Sequence, residues 1–78
     1  MKIIYERNGE TIGREIQSIR ADQNYIECEF FDLSNYMGIY SNRISFQLID
    51  DLDISVEDLI EQCVNTKVLD LRGLVKND

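Results

Sequence analysis

Val56, Leu59, Ile60, Cys63 and Val64 recur at i, i+3, i+4, i+7 and i+8. That spacing lays one apolar stripe along a helix of 3.6 residues per turn. Glu57, Asp58, Glu61 and Gln62 fall on the opposite side. Ser55 stands just before the stripe as its N-cap, with Asp58 three residues later in a capping-box-like position. Asn65 is the residue suited to the left-handed conformation that ends a helix. So short a helix is not stable alone, so its apolar face must lie on something.

The remaining pattern is mostly alternation, the period of a strand with one buried face. Met1, Ile3 and Tyr5 alternate with Lys2, Ile4 and Glu6, and Asn8-Gly9 follows. Asn-Gly between such runs predicts a two-residue hairpin, because both residues accept positive φ. The return strand begins near Glu10 and runs through Thr11 and Ile12 to Gly13, where a lone glycine marks a bulge or bend. Ile16 and Ile19 are three apart, so a helical turn over residues 14–19 competes with a continued strand; the strand is preferred. Residues 21–24 are polar and read as a turn. The cleanest strand follows, with Ile26, Cys28 and Phe30 inward and Tyr25, Glu27, Glu29 and Phe31 outward. Residues 33–42 interleave turn formers with Tyr36, Met37, Ile39 and Tyr40 and read as a loop. Residues 43–49 are again a strand, with Ile44, Phe46 and Leu48 inward. Residues 67–75 close the chain as a strand loosened at its end by Gly73.

The elements predict one α+β domain spanning residues 1–78. It has a small, mainly antiparallel sheet of about five strands, in the order β-β-β-β-α-β, with one amphipathic helix packed on one face. A small curled, barrel-like sheet with one helix is the alternative, which sequential hairpins and the Gly13 interruption would allow.

Composition narrows the function classes. The chain has 78 residues, a net charge of −7 and no histidine. A domain of this size buries only about 60–65% of its unfolded surface, so its core is thin and self-association would help it. The acidic balance, with basic residues scattered, argues against direct nucleic-acid binding and against an anionic membrane surface. The N-terminal apolar run is too short for a signal peptide and no stretch approaches a membrane span, so the expected localisation is cytoplasmic. In that setting Cys28 and Cys63 are expected as buried free thiols. Without histidine they cannot form a usual zinc site.

Chemistry is sparse. No histidine means no usual general base or triad, and there is no nucleophile elbow or phosphate loop. Glu27 and Glu29 are the one tidy carboxylate pair, about 7 Å apart on one strand face, a spacing shared by inverting glycosidases and by any E-x-E strand. A calcium loop starting at Asp51 fails, because its required glycine falls on Val56 and its closing glutamate on Gln62. No metal or cofactor is expected.

What remains is binding. The reading preferred from sequence is a non-enzymatic, acidic protein–protein interaction module. Tyr36, Met37 and Tyr40 are its apolar anchors, since tyrosine and methionine are enriched at interfaces. Asp50, Asp51, Asp53, Glu57 and Glu61 supply its electrostatic component. The alternative is an acidic inhibitor of the phage-encoded kind, which mimics nucleic acid and blocks the basic groove of an enzyme. In that reading the six acids and no base from residue 50 to 65, with Glu27 and Glu29, form one negative surface. A hydrolase-like enzyme using the carboxylate pair is a distant third. The partner is another protein, and a homo-oligomer built on outward aromatics such as Tyr25 and Phe31 is a further reading.

Overall fold

Asn8 and Gly9 take φ of 53° and 79°, the pair of positive values that a tight hairpin turn requires. They join β1 (Lys2–Arg7) to β2 (Glu10–Asp22). The computed structural model describes the backbone of residues 1–36 and 38–76 and the side chains of residues 1–31, 38 and 41–76. The chain continues through β3 (Tyr25–Tyr36), β4 (Ile39–Gln47), α1 (Val56–Thr66) and β5 (Val68–Asp70). The five strands form one sheet in the order β4-β3-β2-β1-β5. All neighbours are antiparallel except β5, which lies parallel to β1.

The helix packs on this sheet against β5 and β2. Its stripe delivers Leu59 and Cys63 to the core, where they join Ile3 and Tyr5 of β1, Ile16 of β2, Ile26, Cys28 and Phe30 of β3, and Phe46, Leu48, Leu69 and Leu71. Tyr5 and Phe46 meet with ring centroids 5.1 Å apart in a tilted arrangement. The Arg14 guanidinium sits 3.5 Å from the centroid of the Phe30 ring, a cation–π contact. No polar or charged side chain is buried among the described residues.

The α+β layout is as the sequence predicts; the barrel-like alternative is not. The sheet is not closed, and β4 and β5 are its two edges. Beyond the strands, Leu48 and Val75 form a single antiparallel bridge. The Ile49 N–H donates to the Leu74 carbonyl at 2.9 Å and the Lys76 N–H to the Gln47 carbonyl at 2.7 Å. This is a clasp between two chain segments, not a further ladder.

Strand β2 explains the ambiguity over residues 14–19. It is continuous, and no helical turn occurs there. Its first half pairs with β1, from Arg7 opposite Glu10 to Lys2 opposite Glu15. Its second half pairs with β3, from Ile16 opposite Phe30 to Asp22 opposite Tyr25. The register shifts between Ile16 and Ser18, where the strand hands over from one partner to the other. An extra residue at a bulge reverses the parity of the faces. Ile12, Arg14 and Ile16 are the more buried positions before it, and Ile19 and Ala21 after it. The three-residue step from Ile16 to Ile19 is therefore a bulge signature. Gly13, expected to mark a bulge, stays in the ladder opposite Ile4. A Cβ there would approach Lys2 Cε to 2.9 Å, so the glycine makes room for a neighbouring side chain.

Two boundaries also move. Ser55 caps α1 as expected, its hydroxyl accepting the Asp58 N–H at 3.1 Å. The helix, however, runs past Asn65, and Lys67 takes the left-handed position at φ 66°, its N–H donating to the Cys63 carbonyl. Tertiary pairing sets that end, because the Lys67 carbonyl accepts the Lys2 N–H at 2.9 Å as the chain enters β5. The final strand is Val68–Asp70, much shorter than residues 67–75. Asp70 ends it by taking the Arg72 backbone N–H at 3.0 Å and the guanidinium at 2.6 Å. These bonds hold the Asp70 carboxyl down at about 2, and Gly73 completes the turn at φ 80°.

Candidate partner-binding surfaces

Residues 33–42, read from sequence as a loop, are mostly strand. β3 continues to Tyr36 and β4 begins at Ile39. Tyr36 lies opposite Ile39, Asn35 opposite Tyr40 and Ser34 opposite Ser41. Gly38, at φ 81°, supplies the positive angle of the connecting turn. Turn formers misled because they are spread along two paired strands rather than gathered in one turn. Met37 lies outside the described residues, and so do the side chains of Tyr36 and Tyr40.

This hairpin overhangs the sheet. The last β3 residue paired with β2 is Phe30; from Phe31 onward β3 has β4 alone as its strand partner. The register jumps between Glu29–Arg43 and Ser34–Ser41, so residues 30–33 of β3 face only Asn42 of β4. A wide irregularity of this kind re-aims the strands beyond it. The result is a two-stranded arm whose last pairs include Tyr36 and Tyr40. At its base Phe31 is 66% exposed, an outward aromatic as the alternation of β3 predicts.

The acids form a separate surface. Asp50, Asp51 and Asp53 occupy the connection from β4 to α1, and Glu57 and Glu61 lie on the outer side of α1; all five are exposed. Lys76 Nζ stands 3.5 Å from Asp50. The other four have no cation partner among the described residues. Glu57 and Asp58 also sit in the first turn of the helix, where negative charge is favoured by the helix dipole.

These two halves of the sequence-derived site are not brought together. The tip precedes β4 and the acids follow it. The nine residues of β4, about 25 Å of extended chain, lie between the tip and Asp50, Asp51 and Asp53, in a molecule whose longest dimension is 36 Å.

Glu27 and Glu29 belong to neither group. The Arg20 guanidinium lies 2.9 Å from Glu27 and that of Arg43 3.4 Å from Glu29. The register dictates both pairs, since Arg20 is directly opposite Glu27 and Arg43 opposite Glu29. With Ser18 these residues line a shallow polar depression of about 170 Å³. The outer face of β2, β3 and β4 thus carries a balanced charge ladder rather than an extension of the acidic surface. Sequence reasoning missed Arg20 and Arg43 here because each pair is set by cross-strand register, that of Arg20 with Glu27 by the β2–β3 hairpin and that of Arg43 with Glu29 by the pairing of β3 with β4.

Cys28 and Cys63 are both free and buried. Burial pushes the Cys28 thiol up to about 12, with neighbouring Cys63 and Glu27 adding to the effect; burial likewise raises Cys63. Such thiols are poor nucleophiles at neutral pH. Cys63 Sγ lies 4.0 Å from Met1 Sδ. Among the described residues no three His, Cys, Asp or Glu side chains converge as a metal site, and no helix is long and apolar enough to cross a membrane. Comparison of the chain with family models, curated proteins and solved structures gives no match.

Proposed function

We propose that this chain is a protein-binding module whose docking element is the β3–β4 arm. The carrying observation is the overhang: β3 and β4 continue past the last residue paired with β2 as a two-stranded projection whose last pairs are Asn35 with Tyr40 and Tyr36 with Ile39. Two further features support the reading. Phe31 places an exposed aromatic at the base of the arm, and aromatic side chains at the centre of an interface contribute most of its binding energy. Asp50, Asp51 and Asp53 follow β4 and so lie about 25 Å of extended chain from the tip, which suits long-range attraction to a basic partner rather than the same contact.

The acidic-inhibitor reading is the second proposal. It draws support from the four exposed acids that lack a cation partner among the described residues. It is weakened by the arginine pairing of Glu27 and Glu29, which confines the negative surface to the β4–α1 connection and the outer side of α1. The enzyme reading has the least support, since both of its carboxylates are engaged by guanidinium groups on an open face.

The two binding readings separate by kinetics. With the arm as docking element, Tyr36→Ala with Tyr40→Ala raises the dissociation rate from the partner by about 100-fold, the equivalent of losing roughly 3 kcal/mol of hot-spot contact. Asp50→Asn, Asp51→Asn and Asp53→Asn together change mainly the association rate and its salt dependence. Surface plasmon resonance at two ionic strengths measures both. If the triple variant abolishes binding while the tyrosine variant leaves it intact, the acidic-inhibitor reading replaces the arm.

A further inference from the structure

The two edges of the sheet are unequal. β5 is three residues long, and a short edge strand protects itself. β4 is nine residues long, and the sequence contains no proline. Among the described residues, no strand or loop backbone bonds to the outer edge of β4 between residues 41 and 46. The register shows which groups face outward. The Gln47 carbonyl accepts from Lys76 on that side, so Ser45 and Arg43, at two-residue steps, turn their backbone groups the same way. At Arg43 the Ser41 hydroxyl fills in, accepting the N–H at 3.1 Å and standing 3.3 Å from the carbonyl. A side-chain hydroxyl occupies groups that a strand partner would otherwise take.

We infer that β4 pairs antiparallel with β4 of a second copy of this chain, about a two-fold axis at Ile44, joining two sheets into one. Charge favours this occupant. In a chain of net charge −7, residues 39–49 contain no Asp or Glu, so two β4 strands meet without opposing carboxylates. Their one charge is Arg43. An axis at Arg43 would set the two arginines directly opposite, a destabilising like-charge pair. With the axis at Ile44, each Arg43 faces Ser45 of the other copy and both residues turn their backbone groups outward, as a hydrogen-bonded pair requires; the Arg43 groups exchange the Ser41 hydroxyl for the partner strand, and the ladder is confined to residues 43–45, because Lys76 already bonds to Gln47. Ile44, half-buried in one chain, then meets its own counterpart and loses its remaining exposure. This inference is independent of the partner proposed for the arm.

Sedimentation velocity of the full chain, from micromolar to near-millimolar concentration, tests it. A reversible dimer is expected, with the Arg43 and Ser45 amides alone along β4 gaining hydrogen-exchange protection as concentration rises. Ser45→Arg sets an arginine against Arg43 of the other copy, twice per dimer, and is expected to weaken association about tenfold. Within its own chain position 45 lies opposite Glu27, which accommodates the added cation and leaves the fold intact by circular dichroism. A monomer at every concentration overturns the inference. So does a dimer that Ser45→Arg does not weaken, or a chain that stays monomeric while a foreign strand protects the same amides.

Discussion

Ile26→Ala is expected to remove about 3–4 kcal/mol of folding stability, within the usual range for truncating a buried isoleucine. Ile26 is fully buried and lies between Ala21 of β2 and Phe46 of β4 in the ladder. The loss has two parts: the apolar area that no longer leaves water, and a cavity that neighbouring strands cannot close, because the sheet registers fix their spacing. For a chain of 78 residues total stability is only about 4–12 kcal/mol, so this one change consumes a large share of it. Phe31→Ala, on the outward face of the same strand, is expected to change stability by no more than about 0.5 kcal/mol. Urea unfolding followed by circular dichroism measures both. Equal losses at the two positions would mean that the faces of β3 are not divided as described.

The second large effect is alkaline. The Cys28 thiol titrates near 12 in the folded chain, against 9.0 for the ordinary group. A raised folded value means that the neutral thiol belongs to the native state, so its stability contribution is complete below pH 9. Above that the unfolded chain ionises first. Stability then falls by about 1.4 kcal/mol per pH unit and continues to fall until the folded thiol itself ionises near pH 12. The full effect is of order 4 kcal/mol. Cys63 shifts in the same direction and steepens the decline. Urea midpoints between pH 8 and pH 11 for the wild type and Cys28→Ala isolate the contribution, because every other side chain is common to both. The two curves should converge as pH rises; parallel curves would contradict the burial of this thiol.

Local patterns decided much of the architecture. The stripe from Val56 to Val64, the Ser55 cap, the Asn8-Gly9 turn and the alternation of Ile26, Cys28 and Phe30 are each written in a few adjacent residues, and each forms as its local physics requires. The departures come from long-range pairing. The helix ends at Lys67 because β5 must meet β1 in register. β5 stops early because Asp70 captures Arg72. The step from Ile16 to Ile19 looked helical because a bulge reverses face parity, and that bulge exists only because β2 changes partners.

The candidate site was less legible for the same reason. Tyr36, Met37 and Tyr40 stood out by residue type, but the place of Tyr36 and Tyr40 on an overhanging hairpin depends on where β3 loses β2 as a neighbour. The pairing of Glu27 with Arg20 and of Glu29 with Arg43 depends on cross-strand register, which residue types alone do not give. The acids from Asp50 to Glu61 were visible at once as a run. Their separation from the arm became apparent only once β4 was known to lie between them.

The most direct test of the arm as docking element is a capture experiment at low and then high salt, comparing the tagged wild-type chain with Tyr36→Ala/Tyr40→Ala and with Asp50→Asn/Asp51→Asn/Asp53→Asn. The account predicts a protein that the wild type and the aspartate variant both retain through the high-salt wash and that the tyrosine variant does not. A partner that the tyrosine variant retains equally, or that salt alone releases from the wild type, would contradict it.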